Sequence, residues 1–287
     1  MQAEQSTIEQ GYNNIETASE NCYFSQTSNF EVKITQESSD LQKAKKLRLK
    51  DYSVLKSNPV LKKSIQNNIL HTKQLIEQQQ ILIHDGYDSF ADHLIVIDHE
   101  NDRVIAYVRL IDAYTAYKIG GYYCETQFNL NKLFARQTFY LEMSRLVIDP
   151  EYHNTETAAL LWSGIIKHAQ EKGIDAIIGS LSLPLSHGAM SYSLLQYLKK
   201  HHISDSNCRV QPYQLLPDSA SSSEIYDHCD NQIIEFFFRQ GVKLCGDAYW
   251  NKELNHAQLF VYFPVSKAPI FPECIRMNEV ELGLMCK

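Results

Sequence analysis

Two repeats in the placing of apolar residues divide this chain. Phe30, Val32 and Ile34 alternate with polar neighbours, the period of a strand with one buried face. Leu41, Ala44 and Leu47 then recur at helical spacing behind Ser39 or Asp40, either of which can open the helix. Pro59, tolerated in a first helical turn, starts a second and longer helix marked by Leu61, Ile65, Ile69 and Ile76. The pattern changes from helical to strand-like at 93–98 (HLIVID) and 104–111 (VIAYVRLI), and the polar turn between them makes a hairpin.

Further along, the pattern predicts a β-α-β unit. A strand over 139–148 leads through the polar loop 149–156 into a helix that Thr155 or Thr157 can cap; its apolar stripe is Leu161, Trp162, Ile165, Ile166 and Ala169, and Gly173 ends it. The run 176–183 (AIIGSLSL) reads as a buried strand, so a crossover closes around the loop. A helix through 233–238 stops at Gly241, 242–245 and 258–265 supply two last strands, and 219–223 reads as a serine-rich connector. Residues 1–28, rich in Gln, Asn, Ser and Thr, carry too little apolar surface to order themselves. The expected division is a disordered tail at 1–28, one domain at 29–266 and a C-terminal extension at 267–287.

Composition narrows the class. With 287 residues, 44% of them hydrophobic, the chain suits one α/β domain with additions. A net charge of -7 gives no global attraction to nucleic acid. The seven cysteines are odd in number, scattered and free of C-x-x-C pairs, which argues against a disulfide framework or zinc site and for a reducing cytoplasm. The polar N-terminus does not read as a secretion signal, and no apolar run of about 18 residues is long enough to span a bilayer.

Charges inside the 139–148 strand are the main chemical signal. Strict alternation sets Tyr140, Glu142, Ser144 and Leu146 on one face and Leu141, Met143 and Arg145 on the other, unless a bulge near Ser144 resets the phase. Arg109 raises the same question, sharing a face with Ile105, Tyr107 and Ile111 in a strand that otherwise reads as core. A buried arginine needs a carboxylate, so one reading is a structural ion pair of Glu142 with Arg109 or Arg145. The other has Glu142 accept a proton from an attacking amine while the arginines fix a carboxylate-bearing acceptor or hold the glutamate ionised. Both can hold together.

Other clusters say less. Backbone amides after the 149–156 loop can hold a phosphate, yet the loop has no glycine and carries Glu151 and Glu156, and its composition alone favours an ordinary helix cap. His84, Asp85, Asp88, Asp92 and His93 fit no standard metal spacing, so no metal is expected. Lys43, Lys45, Lys46, Arg48 and Lys50 on the first helix can dock an acidic protein or an anionic membrane, or form a solvated face. GSLSLPLS at 179–186 is not a G-x-S-x-G nucleophile elbow.

Seven motifs, in order, resemble the ornithine-lipid N-acyltransferase group of the GNAT superfamily, often labelled hemolysin-like and related to the acyl-homoserine-lactone synthases. They are LRLKDY (47–52), DGYDSFADHLIVID (85–98), VIAYVRLID (104–112), GGYYCETQFNL (120–130), LEMSRLVIDPEYH (141–153), LLWSGI (160–165) and GDAYWNKELNHAQLFV (246–261). The resemblance implies a GNAT-like acyl-CoA N-acyltransferase fold, α/β (α+β), with a mixed central sheet flanked by helices. It implies transfer of a fatty acyl group, typically 3-hydroxyacyl, from the phosphopantetheine thioester of acyl carrier protein, with acyl-CoA as the alternative donor. The acceptor would be the α-amino group of an amino acid, ornithine first, and the product lyso-ornithine lipid.

The same resemblance distributes roles. Glu142, Arg145 and Arg109 would be catalytic; Asp85, Asp88, His93, Ser144 and Trp250 would bind substrate; His153, Asn154, Thr155 and Thr157 would hold the donor phosphate. No permanently bound cofactor and no metal are implied, and the partners are acyl carrier protein, the amino acid and, peripherally, lipid of the inner membrane. An acidic carrier protein would suit the basic first helix, and its single phosphodiester would suit a loop without glycines. The chain departs from the group's pattern after Tyr52, where an F-x-x-E run is missing, at His153, where arginine is usual, and at Gln258, where aspartate is usual. Rival expectations are an N-acyl amino-acid or acyl-homoserine-lactone type synthase with another acceptor, a short-chain acetyltransferase using acetyl-CoA, and a catalytically idle GNAT-like binding module.

Overall fold

The computed structural model describes residues 23–26, 29–56, 85–185, 188–217 and 232–268. In chain order these form β1 (Tyr23–Gln26), β2 (Phe30–Thr35), α1 (Ser38–Lys56), β3 (Asp92–Asp98), β4 (Arg103–Asp112), α2 (Ala113–Ile119), β5 (Phe128–Asn129), α3 (Asn131–Phe134) and β6 (Tyr140–Ile148). There follow α4 (Thr155–Glu171), β7 (Ala176–Pro184), α5 (Ala189–His201), β8 (Gln211–Pro212), α6 (Gln232–Arg239), β9 (Lys243–Leu244), β10 (Tyr249–Asn251) and β11 (His256–Pro264). The helix expected over 61–76, the connector 219–223, His84 and residues 269–287 lie outside the described residues.

The main sheet runs β1-β2-β3-β4-β6-β7-β11-β10, with β9 against β11. Its neighbours are antiparallel except β6 and β7, which are parallel and joined by the α4 crossover, as the β-α-β reading required. One face of the sheet, including Leu141, Met143, Ile177, Leu181, Leu259 and Val261, packs under α4 and α6. There Trp162 meets the edges of Phe237 and Phe263 at 5.5 and 5.1 Å. The opposite face carries Tyr140, Ile178, Phe260 and Tyr262 beneath α3 and the short turns that supply Leu133, Tyr122, Cys124 and Cys208. On that second face, towards β3 and β4, α1 lays Ala44 and Leu47 against Ile95, Tyr107 and Val147.

Several elements escaped the pattern, among them the two-residue β5 and β8 and the short α3. β1 falls inside the stretch read as tail: Tyr23–Gln26 pairs antiparallel with β2, so backbone pairing to a sheet edge orders residues whose composition predicts none. The helices α2 and α5 and the three-residue β10 were not expected, although Leu194, Leu195 and Leu198 give α5 a buried stripe. Gly173 does end α4, at φ +62.

The feature that positions the site is a split. β6 and β7 pair from Tyr140↔Ala176 to Met143↔Gly179, yet run on to Ile148 and Pro184 without pairing further. The cause is in β6. Its register with β4 steps from Arg109↔Ser144 to Tyr107↔Val147, one extra residue on the β6 side, and Arg145 takes φ +56.

Candidate active site

The bulge replaces strict alternation. Met143 and Leu146 both pack towards the helices, so Ser144 and Arg145 both turn to the other face, which also carries Glu142. A left-handed backbone at arginine costs roughly 1–3 kcal/mol, and an ion pair holds it: Arg145 Nη2 lies 2.8 Å from Asp85 Oδ2.

Asp85 also takes Arg109 through its other oxygen. Arg109, fully buried, reaches Asp88 at 2.8 Å and donates from Nε to Ser144 Oγ at 3.0 Å; Asp88 in turn holds buried Arg48 at 3.0 Å. Burial pushes the Asp88 carboxyl up, but the Arg48 and Arg109 guanidiniums outweigh it and hold the group well below the usual carboxylate range. The sheet register sets His93, Arg109 and Ser144 side by side on β3, β4 and β6. His93 is fixed by the Tyr107 hydroxyl at 3.0 Å and the Asp88 carbonyl at 2.9 Å. Aromatic faces close over the cations: Arg109 lies 5.3 and 5.1 Å from the Tyr87 and Tyr123 ring centroids, and Arg145 lies 4.9 Å from Tyr123. Among the described residues Arg109 Nη2 and Arg145 Nε are buried with no hydrogen-bond partner.

The expected ion pair of Glu142 with Arg109 or Arg145 is corrected. Asp85 and Asp88 take the guanidiniums, and fully buried Glu142 accepts the backbone N–H groups of Tyr123 and Cys124, each at 2.7 Å. Burial pushes its carboxyl up, and the Cys124 thiol beside it is pushed up by burial as well. Sequence reasoning missed Tyr87, Tyr123 and Cys124 and placed Arg48 only in the basic run of the first helix, although all four lie inside the motifs that carried the resemblance.

At the head of α4 the cap is Asn154, not Thr155 or Thr157: its side chain accepts the Thr157 N–H at 2.8 Å, and Thr157 itself is buried. His153 and Asn154 are exposed. Two acids of the loop, Asp149 and Glu151, are neutralised within the fold. Lys50 reaches Asp149 at 2.8 Å and Glu151 at 3.2 Å, and Arg103 reaches them at 2.6 and 2.7 Å. The basic face expected on α1 is therefore partly consumed: Lys43 pairs with Asp102, Arg48 is buried and Lys50 ties down the loop. Trp250, expected near the substrate, sits instead on edge strand β10, separated from β6 by β7 and β11.

The mixed sheet that splits between its two parallel strands, with a crossover helix heading the gap, is a GNAT fold, and the family model described as Acetyltransferase (GNAT) domain matches residues 70–163. Within that class the chain resembles the L-ornithine N(alpha)-acyltransferases. It is 28% identical over 145 residues to the enzyme of Rhodobacter capsulatus, covering 49% of this chain and 56% of that one. It is 27% identical over 202 residues to the enzyme of Agrobacterium fabrum, covering 63% and 67%. The match thus spans little more than half the length of the first relative. Among solved structures, an N-acyl amino acid synthase from uncultured soil microbes superposes with a TM-score of 0.42 at 10% identity, covering 84% of this chain and 93% of that one.

Proposed function

We propose that this protein is an N-acyltransferase that moves a fatty acyl group from a phosphopantetheine thioester to the α-amino group of an amino acid, ornithine in the first place. The observation that carries this reading is the parting of β6 from β7 after Met143 and Gly179, directly beside Glu142, Arg109 and Arg145. A pantetheine arm laid in the gap meets strand edges that no longer bond to each other, and backbone N–H groups there hold the carbonyl oxygen as it gains charge. The acceptor amine gives a proton toward Glu142, whose raised pKa brings it closer to neutrality, where a base works best. Nitrogen attacks the carbonyl carbon, the C–S bond breaks and the thiolate leaves to take up a proton. The unpaired Arg109 Nη2 and Arg145 Nε suit the α-carboxylate of the acceptor.

The head of α4, with His153, Asn154 and Thr155, is assigned to the donor phosphate. Acyl carrier protein is preferred to acyl-CoA as donor because a loop without glycine offers no cradle for a pyrophosphate. The ornithine assignment draws support from the names of the relatives. Among the described residues no helix is long and apolar enough to cross a membrane, and we place the reaction in the cytoplasm with peripheral lipid contact. Purified protein incubated with 3-hydroxyacyl carrier protein and ornithine is expected to yield acyl-ornithine by mass spectrometry, with kcat lowered about 100-fold or more by Glu142→Gln. No product with any amino acid sinks the reading.

A further inference from the structure

Beyond the split, β7 and β11 carry a row of uncharged polar side chains that the reaction above leaves without a task. Ser180 donates to Gln258 Oε1 at 2.9 Å, Gln258 Nε2 donates to Ser182 Oγ at 3.1 Å, and Ser182 Oγ lies 2.6 Å from His256 Nδ1. Leu181, Leu183, Ala257 and Leu259 point into the core under the helices, so the four polar residues share the opposite face, the one that carries Glu142 and Ser144. Glu142 lies opposite Ile178 in the parallel register, which sets Ser180 level with Ser144 where the strands part. Gln258 and His256 are buried, and Ser182 is exposed.

Gln258 uses its carbonyl for Ser180 and its amide for Ser182, so the Ser182 hydroxyl accepts from the amide, while the direction of its bond with His256 Nδ1 follows the tautomer of that ring. With either tautomer the exposed Ser182 hydroxyl keeps one open hydrogen-bonding position, a lone pair or its proton. Burial pushes the His256 pKa down to about 4, so the ring is neutral near pH 7 and all four members are uncharged. An ammonium beside them would lack a carboxylate from this row. A hydroxyl, which both donates and accepts, is satisfied by neutral partners.

We infer that the Ser180–Gln258–Ser182–His256 row is a specificity subsite that reads a substrate hydroxyl, carried either by the acyl chain of the donor or by the side chain of the acceptor. The inference rests on the acyl-transfer reading and deepens it. Two substrate pairs separate the sources: hydroxyacyl against plain acyl carrier protein of equal chain length with one acceptor, and serine against alanine as acceptor with one donor. Wild-type protein is expected to favour the hydroxylated member of one pair by about 10-fold or more in kcat/KM. Ser182→Ala should bring that ratio below about 3-fold, and Ser182→Thr should keep it. Equal losses on both members, which leave the ratio intact, mark a structural role and overturn the inference; so does a wild-type protein without preference in either pair. If no product forms at all, the transfer reading fails by itself. Equilibrium binding of hydroxyacyl- and acyl-pantetheine thioethers, and of serine and alanine, to wild type and Ser182→Ala then decides the subsite: binding blind to the hydroxyl overturns it.

Discussion

The Met143 carbonyl oxygen stands 2.2 Å from where a β-carbon on residue 179 would lie, so Gly179 sets how closely β6 and β7 meet at the last pair before they part. The obstacle is backbone, which cannot swing aside as a side chain can. Gly179→Ala should therefore push the strands apart in their paired half, lowering stability by about 1–3 kcal/mol and lowering transfer activity with it. Urea unfolding gives the first quantity, and an unchanged midpoint would show that the sheet yields freely at this point.

Asp85 is the shared partner of two arginines, one fully buried. Asp85→Asn leaves Arg145 without its carboxylate, while Arg109 keeps Asp88. An incompletely compensated buried charge of this kind costs about 3 kcal/mol or more. The exposed pair of Lys43 with Asp102 is the control: Asp102→Asn should leave the urea midpoint unchanged, since solvent screens such pairs. Equal midpoints for the two variants would show that the cluster is not held by charge.

Many of the strands were legible because β2 alternates apolar and polar residues, β3, β4, β7 and β11 are apolar runs of strand length largely buried on both faces, and the crossover imposes a period near four on α4. Where the chain breaks its own period, the pattern went silent. The bulge at Arg145 shows in the sequence only as a charge on the wrong face, and its cause, the pull of Asp85 some 60 residues earlier, is a contact rather than a pattern. Glu142 was legible as a chemical residue but not as the acceptor of the Tyr123 and Cys124 amides, since backbone donors leave no mark on residue type. Asn154 capped α4 in place of the two threonines because the helix starts one residue later than Asn154, a boundary that several adjacent cap formers leave open. The polar row on β7 and β11 was passed over for a related reason: 176–183 read as a buried strand as a whole, and only the register joins its two serines to Gln258 and His256.

Asn154 links stability to donor binding. Its side chain satisfies the Thr157 amide, one of the donors that α4 leaves open at its start. Asn154→Ala should cost about 1 kcal/mol in urea unfolding. If the head of α4 holds the donor phosphate, the same variant should also raise KM for acyl carrier protein with a smaller change in kcat. A rise in the acceptor KM alone would move the phosphate elsewhere.

His256 gives the fold a distinct dependence on pH. Its folded pKa, pushed down by burial to about 4, lies below the ordinary value of 6.5. Between these values the unfolded chain binds a proton that the folded protein refuses, so this contribution is full above about pH 6.5 and is lost as pH falls toward about 4. The loss amounts to about 3 kcal/mol. Buried His93, also pushed down by burial, adds to the same window, while Asp88 and Asp92, held low by their cations, act only below the ordinary carboxylate range. Glu142 works against the trend, because its raised pKa relieves strain as pH falls. His256→Gln should therefore be the less stable protein at about pH 7, where it loses the bond to Ser182, yet lose less on acidification to about pH 4.5. Urea midpoints of both proteins at the two pH values measure the difference, and parallel losses would show that His256 is not the group that refuses the proton.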